Sequence, residues 1–157
     1  MLFRSIDRRI RITRPAEEAS ARIFAIHLEG VLLAGGLTVQ ELGTLAAREL
    51  FRAEHILSEL MLEDLSTPVE LRLSDLASGA LIQNIVDRAT ANKMAECIER
   101  GVREGLNEAD LVQAIAEVLA EQREGKHLEE WQEVGDRHGR RVVEVRRLAG
   151  VGDAGWK

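Results

Sequence analysis

The run from Ser78 to Gly101 constrains this chain most, because it holds a helix start, a helix face and a helix stop without interruption. The Ser78 hydroxyl can accept a hydrogen bond from a free backbone N–H of the first turn, and Gly101 is a glycine of the kind on which helices commonly end. Between them Leu81, Ile82, Ile85, Val86 and Ala89 recur at the spacing of one buried helical face, with Gln83, Asn84, Asp87 and Arg88 opposite. Met94, Cys97 and Ile98 are expected to carry that apolar face to the end of the helix, Cys97 as a core residue. Gly79 and Ala80 fill the first turn with almost no side chain. A bare helix start exposes backbone donors and the positive end of the dipole, so a flat or anionic ligand could come close there. The plain structural reading is a capped core helix with small residues for tight packing.

A chain of 157 residues is one domain of ordinary size, able to bury roughly 68–70% of its unfolded surface. Only 3% of it is aromatic and it has no Tyr, so the core must be built from Leu, Ile, Val and Ala, which favours helices. A net charge of −6 argues against nucleic acid as a partner. The single Cys97 excludes an internal disulfide framework and a cysteine-only metal site, and it suits a reducing cytoplasm. No apolar run approaches the ~20 residues of a membrane span, and no signal-type apolar stretch follows Met1. A mainly α, acidic, cytoplasmic protein with neither a membrane nor a nucleic-acid partner is the expectation.

Along the chain, residues 4–14 alternate apolar and basic through Ile6, Arg8, Ile10, Arg11, Ile12 and Arg14, the pattern of a basic strand. That pattern fits a charged edge strand or a basic arm. Pro15, Glu17 and Glu18 open a helix whose face is expected to hold Ala19, Ile23, Ile26 and His27, flanked by Phe24 and Leu28, up to a break at Gly35–Gly36. Thr38 and Glu41 form a capping box for a second helix reaching about Ala53. The following stretch reads either as more helix or as two strands around the turn EDLSTP. Pro68 and the alternation of Val69, Leu71 and Leu73 favour a strand at 68–73. Asn107 caps a further helix whose stripe is Leu111, Ile115, Val118 and Leu119, ending near Arg123. After Gly125 come a short helical turn around Trp131, a tight turn at Gly139, and a strand over Arg141–Arg147. In that strand Val143 and Val145 alternate with Glu144 and Arg146. His127, Glu129, Glu130 and His138 are metal-ligating types, but their spacing matches no standard site.

SGALIQNIVDRA resembles the stretch that opens the nucleotide-facing helix in the small helical lid subdomain of AAA+ ATPases. Its Ile-Gln-Asn and Val-Asp-Arg-Ala are similar to those of the actinobacterial proteasome-associated AAA ATPases, which form rings. A second, more specific match lies in Glu-Glu-Trp-x-x-Val-Gly followed by Gly-x-Arg-Val-Val-x-Val-Arg, and RRIRITRPAEEA resembles the family's link into the lid. The resemblance runs from about Arg8 to Leu148. It implies a mainly α, lid-type bundle with a small antiparallel sheet, made of a hairpin at about 56–73 (strands near 56–62 and 68–73) plus a strand at about 141–147. It divides the chain into a remnant of the large ATPase subdomain at 1–14, the lid at 15–125 and a C-terminal extension at 126–157.

The resemblance also implies ATP as ligand, with Ser78, Gly79 and Ala80 as nucleotide-binding residues and Gly79 and Ala80 as the adenine-side wall. Mg²⁺ would come from the large subdomain, and this chain would hold no cofactor tightly. The implied partners are that large subdomain, neighbouring subunits of a homohexameric ring, and a proteasome core. Two departures stand out: Ser5 sits where the family's finger segment has Arg, and the chain ends GDAGWK without the Tyr of the docking tail. The chain has no Gly-Lys-Ser/Thr phosphate loop and no apolar run ending in Asp-Glu, so it is expected not to hydrolyse ATP alone, and no catalytic residue is assigned. Such a chain would be a fragment, an excised domain or the product of a truncated gene. The alternative is a free-standing helical protein-interaction module that binds no nucleotide, with exposed apolar surface on the Ser78 helix as its partner site. A small metal-dependent hydrolase is a third class.

Overall fold

Local capping chemistry sets where three of the described helices begin. In the computed structural model, which describes residues 13–148, the order is α1 (Glu17–Leu28), α2 (Val39–Leu50), β1 (Ile56–Leu62), β2 (Val69–Arg72), a 3-10 turn (Leu73–Leu76), α3 (Gly79–Arg100), α4 (Glu108–Glu124), α5 (Leu128–His138) and β3 (Val142–Arg147). Thr38 and Glu41 satisfy each other's backbone donors at 3.2 and 3.0 Å. Asn107 and Asp110 do the same for α4 at 3.2 and 2.8 Å. Gly101 ends α3 in the left-handed region at φ 63°, and Gly139 ends α5 at φ 62°, where a glycine meets no Cβ penalty. The strands expected at 56–62 and 68–73 are present with nearly those bounds. The basic strand expected over residues 4–14 and the tail from residue 149 lie outside the described residues, apart from Thr13 and Arg14.

One core joins the helices and the inner face of the sheet. Phe24 and Leu28 of α1, Leu42, Ala46 and Leu50 of α2, Ile82, Ile85, Val86 and Ala89 of α3, and Leu111, Ala114, Ile115 and Val118 of α4 are all buried within it. The helices α1 and α2 approach closely, because a Cβ on Gly43 would sit 2.7 Å from the Ala21 carbonyl oxygen. That approach turns α1 about its axis relative to the expected face. Ser20, Phe24 and Leu28 point inward while Ile26 stands in solvent. α1 also ends at Leu28 and does not reach Gly35. The segment after it is pinned by backbone bonds instead: the Ala34 N–H donates to the Leu106 carbonyl at 2.9 Å and the Leu106 N–H to the Leu32 carbonyl at 2.8 Å.

Two further expectations are corrected by packing. Met94 is 61% and Ile98 75% exposed, so the apolar face of α3 ends at Ala89 and Cys97 is only half-buried. Lys93 lies inward in their place, 8% exposed, with its ammonium 3.1 Å from Glu96, 3.6 Å from Glu104 and 3.5 Å from Asp110. Three carboxylates from three segments around one ammonium neutralise its charge where the apolar stripe stops. The segment around Trp131 is a full helix of 11 residues, longer than a turn. A Cβ on Gly135 would lie 2.7 Å from the Arg140 carbonyl oxygen, and this contact lets β3 fold back tightly on α5.

The strands form one antiparallel sheet in the order β2-β1-β3. In β3 the register passes from Met61↔Glu144 to Leu62↔Val142, leaving Val143 as an extra, unpaired residue. The bulge breaks the period-2 pattern. Val142 and Val145 therefore face the core, and Val143 is 64% exposed. The outer face is charged, with Glu59 between Glu70 and Arg146. The like-charged Glu59–Glu70 pair is offset by Arg146 and by Arg72, whose guanidinium lies 2.7 Å from Glu70.

Two outcomes follow from this packing. Gly105→Ala drives a Cβ into the Leu33 carbonyl group, with backbone on that side and no flexible side chain to yield. Its destabilisation by denaturant melt is expected at the upper end of the ~1–3 kcal/mol of overpacking, or beyond it. His55, whose Nε2 lies 3.3 Å from Glu49 and whose Nδ1 is buried without a partner, has its pKa lowered chiefly by burial and further by Arg52 and Arg123, against the pull of Glu49 and Glu54. The folded state then takes up fewer protons there than the unfolded chain. Stability is therefore full above the ordinary histidine pKa of about 6.5 and falls as pH drops below it. Melts across that range should show a steeper loss for the wild type than for His55→Gln.

Candidate functional site

The first turn of α3 faces solvent. The Ser78 hydroxyl accepts from the Leu81 N–H at 3.1 Å and the Ser78 carbonyl from the Ile82 N–H at 3.0 Å, so the cap forms as its sequence implies. Gly79 and Ala80 are exposed, and among the described residues their N–H groups have no partner. The first turns of α1, α2, α4 and α5 each carry Glu or Asp, whereas that of α3 carries none. The positive end of its dipole is thus left uncompensated at the surface. A Cβ on Gly79 would meet nothing within 4 Å and its φ is not positive. Among the described residues neither packing nor backbone geometry calls for a glycine at that position.

Beside this turn lies an open cleft of about 740 Å³. Ser78, Ala80, Leu81 and Asn84 of α3 form one wall, and Glu121, Gln122 and the Gly125–Glu130 segment form the other. Gly79 sits between two lining residues without lining the cleft itself. Arg14 closes one end, with its guanidinium 3.0 Å from Glu130 and 3.2 Å from Glu133. Sequence reasoning missed Arg14, Asn84 and Lys126 as neighbours of this turn. The only signal for Arg14 was its place just before Pro15, at the entry to α1.

The metal-ligating residue types do not converge. The Nε2 of His127 lies 2.7 Å from the Gln122 carbonyl oxygen and braces the α4–α5 turn. His138 lies at the far end of α5. Among the described residues no group of three or more His, Cys, Asp or Glu side chains could hold a metal ion. The Cys97 sulfur sits 3.7 Å from the Glu104 carbonyl oxygen. The cleft offers backbone donors, an amide at Asn84 and an ammonium at Lys126, but no nucleophile poised against a base. Among the described residues no helix is long and apolar enough to cross a membrane.

The sequence matches the family described as ARC, AAA+ ATPase lid domain over residues 15–155. It is 34% identical over 151 residues to an AAA ATPase forming ring-shaped complexes from Corynebacterium diphtheriae, covering 92% of this chain and 28% of that protein. A protein of the same description from Kocuria rhizophila is 31% identical over 154 residues, covering 89% of this chain and 27% of that one. A proteasome-associated ATPase from Streptomyces griseus is 29% identical over 163 residues, covering 91% and 27%. This chain thus spans little more than a quarter of the length of these relatives.

The geometry of the turn separates two substitutions. Ser78→Ala removes the cap of α3 and is expected to lower stability by about 1 kcal/mol. Gly79→Leu projects into open space and should leave the thermal melt within about 0.5 kcal/mol of the parent.

Proposed function

The chain belongs to the ARC AAA+ ATPase lid family, and from that membership we propose that it acts as the lid of a ring-forming ATPase, closing over a nucleotide held mainly by a large ATPase subdomain. The observation that carries this reading is the open, uncompensated start of α3, with a glycine that the fold does not need. In this role Ser78 fixes the first turn, and Gly79 and Ala80 let the adenine side of ATP approach the backbone without a side chain between them. The large subdomain supplies the phosphate loop, the Mg²⁺ site and the water-activating acid, none of which has a motif in this sequence. This chain holds the nucleotide weakly by itself and has no catalytic group. Its function lies in position, since a lid that moves with nucleotide state passes that motion to its neighbours.

Residues 15–125 serve as the lid in this reading, and 126–157 as an extension whose strand β3 is sewn into the lid's own sheet beside β1. Residues 1–14 are the exit from the large subdomain, and Arg14 ties that exit to α5. The second half of α3 supplies a contact for neighbouring subunits of a homohexameric ring. There Met94 and Ile98 stand exposed beside a groove of about 420 Å³ walled by Val31, Leu32, Cys97 and Val102. The ring's work is to unfold proteins for a proteasome core in the cytoplasm. The same exposed groove favours a second reading, a free-standing interaction module that binds partners through α3 and no nucleotide.

A graft separates the two. The lid of the Corynebacterium diphtheriae relative is replaced by this chain, and ring assembly and ATP hydrolysis are measured. We expect assembled rings that hydrolyse ATP, and at least a tenfold weaker nucleotide affinity when the graft carries Gly79→Leu. Rings that form but bind nucleotide equally well with Gly79→Leu would remove Gly79 and Ala80 from the site. A graft that folds but neither assembles nor hydrolyses would favour the interaction module.

A further inference from the structure

The sheet order leaves β3 at an edge, and among the described residues no strand pairs with its second side. β3 is six residues long against four for β2. Along it runs a cleft of about 400 Å³, walled by Leu128, Trp131 and Gln132 of α5 and by Val142, Val143 and Val145 of β3. Leu128 is 65% exposed at its rim, and the bulge turns Val143 out beside it. An edge of this length with an apolar slot next to it is a template for an added strand.

The charge here is mostly basic, although Asp136 and Glu144 line the cleft beside Arg140 and Arg141. Residues 137–147 hold five Arg and one Glu, in a chain whose net charge is −6. Arg137 is 3.5 Å from Asp75, Arg140 donates to the Glu63 carbonyl at 2.7 Å, and Arg146 is 2.9 Å from Glu144. Arg141 and Arg147, at the two ends of β3, pair with no carboxylate among the described residues. An antiparallel second copy on this edge would set Arg141 opposite Arg147 and be repelled. Same-sign cations thus bar self-pairing yet leave the edge open to a strand of opposite charge.

We propose that the outer edge of β3 is a docking site for an extended, acidic segment of a partner protein, which adds as a fourth strand. Its backbone pairs with β3, its acidic side chains meet Arg141 and Arg147, and an apolar side chain between them enters the slot of Leu128, Trp131 and Val143. This site is separate from the first turn of α3 and stands whether or not that turn faces a nucleotide.

The test uses the whole chain carrying Trp156→Phe, so that Trp131 is the one indole, and a synthetic peptide of alternating Glu and Val. Expected are a saturable change in Trp131 emission, slowed amide exchange over Val142–Arg147, and affinity that falls with added salt. A Lys-Val peptide of the same length should bind about tenfold more weakly or not at all. The double variant Arg141→Glu with Arg147→Glu should reverse that preference, which a merely unfolded variant could not do. Equal binding of the two peptides to the wild type, protection that maps elsewhere, or self-association that protects β3 would each overturn the proposal. Should the variant fail to fold, the comparison of the two peptides on the wild type decides alone.

Discussion

Burial of the first half of α3 is the constraint from which the rest is hung. Ile82, Ile85, Val86 and Ala89 touch the core formed by the other helices and the sheet, so the axis of α3 is held from several sides. Because those contacts begin one turn in, the opening turn is rigidly supported and still uncovered. A binding surface made of backbone needs that combination: donors cannot be aimed by rotamers, only by the helix that carries them. The hydroxyl of Ser78 completes the arrangement by satisfying one donor and leaving its neighbours free.

Close backbone approaches do most of the remaining organisation. Gly43 brings α2 against α1, Gly105 brings the α3–α4 connection against the loop after α1, and Gly135 brings β3 against α5. A chain with few aromatic residues has little bulk for spanning gaps, so its elements must sit near one another for Leu, Ile and Ala to touch. The ammonium of Lys93 plays the matching part at the edge of the core, drawing carboxylates from α3, α4 and the loop between them into one cluster.

What could be read from the sequence was mostly local. Thr38, Ser78 and Asn107 act within three residues of themselves, so their caps and the starts of three helices were legible before any tertiary structure was known. The alternation at 69–73, together with Pro68, favoured a strand over continued helix, and the resemblance tipped the choice. The errors were tertiary. The side of α1 that packs inward depends on Gly43 of the next helix, and so Ile26 was misplaced. The exposure of Met94 and Ile98 depends on where α4 crosses, and the exposure of Val143 on a register set by β1. The site divides in the same way. Ser78, Gly79 and Ala80, the residues proposed for it, are contiguous in the chain, whereas Arg14 reaches Glu133 across 119 residues and its only local signal was its place before Pro15.

The pairing of β1 with β3 has a consequence for how the molecule forms. β1 has its hairpin partner within a few residues, but its other edge waits for a strand some 80 positions later, Leu62 against Val142. Every helix between them must be in place or loosely collapsed before that ladder can zip, and the chain entropy of so long a closure slows the last step. On a ribosome the gap is longer still, because β3 leaves the exit tunnel after all the other described elements. Until then Leu60 and Leu62 lie beside an unfilled row of backbone donors and acceptors. The nascent protein therefore passes through an interval in which its most aggregation-prone edge is open and its own C-terminal strand is the segment that closes it.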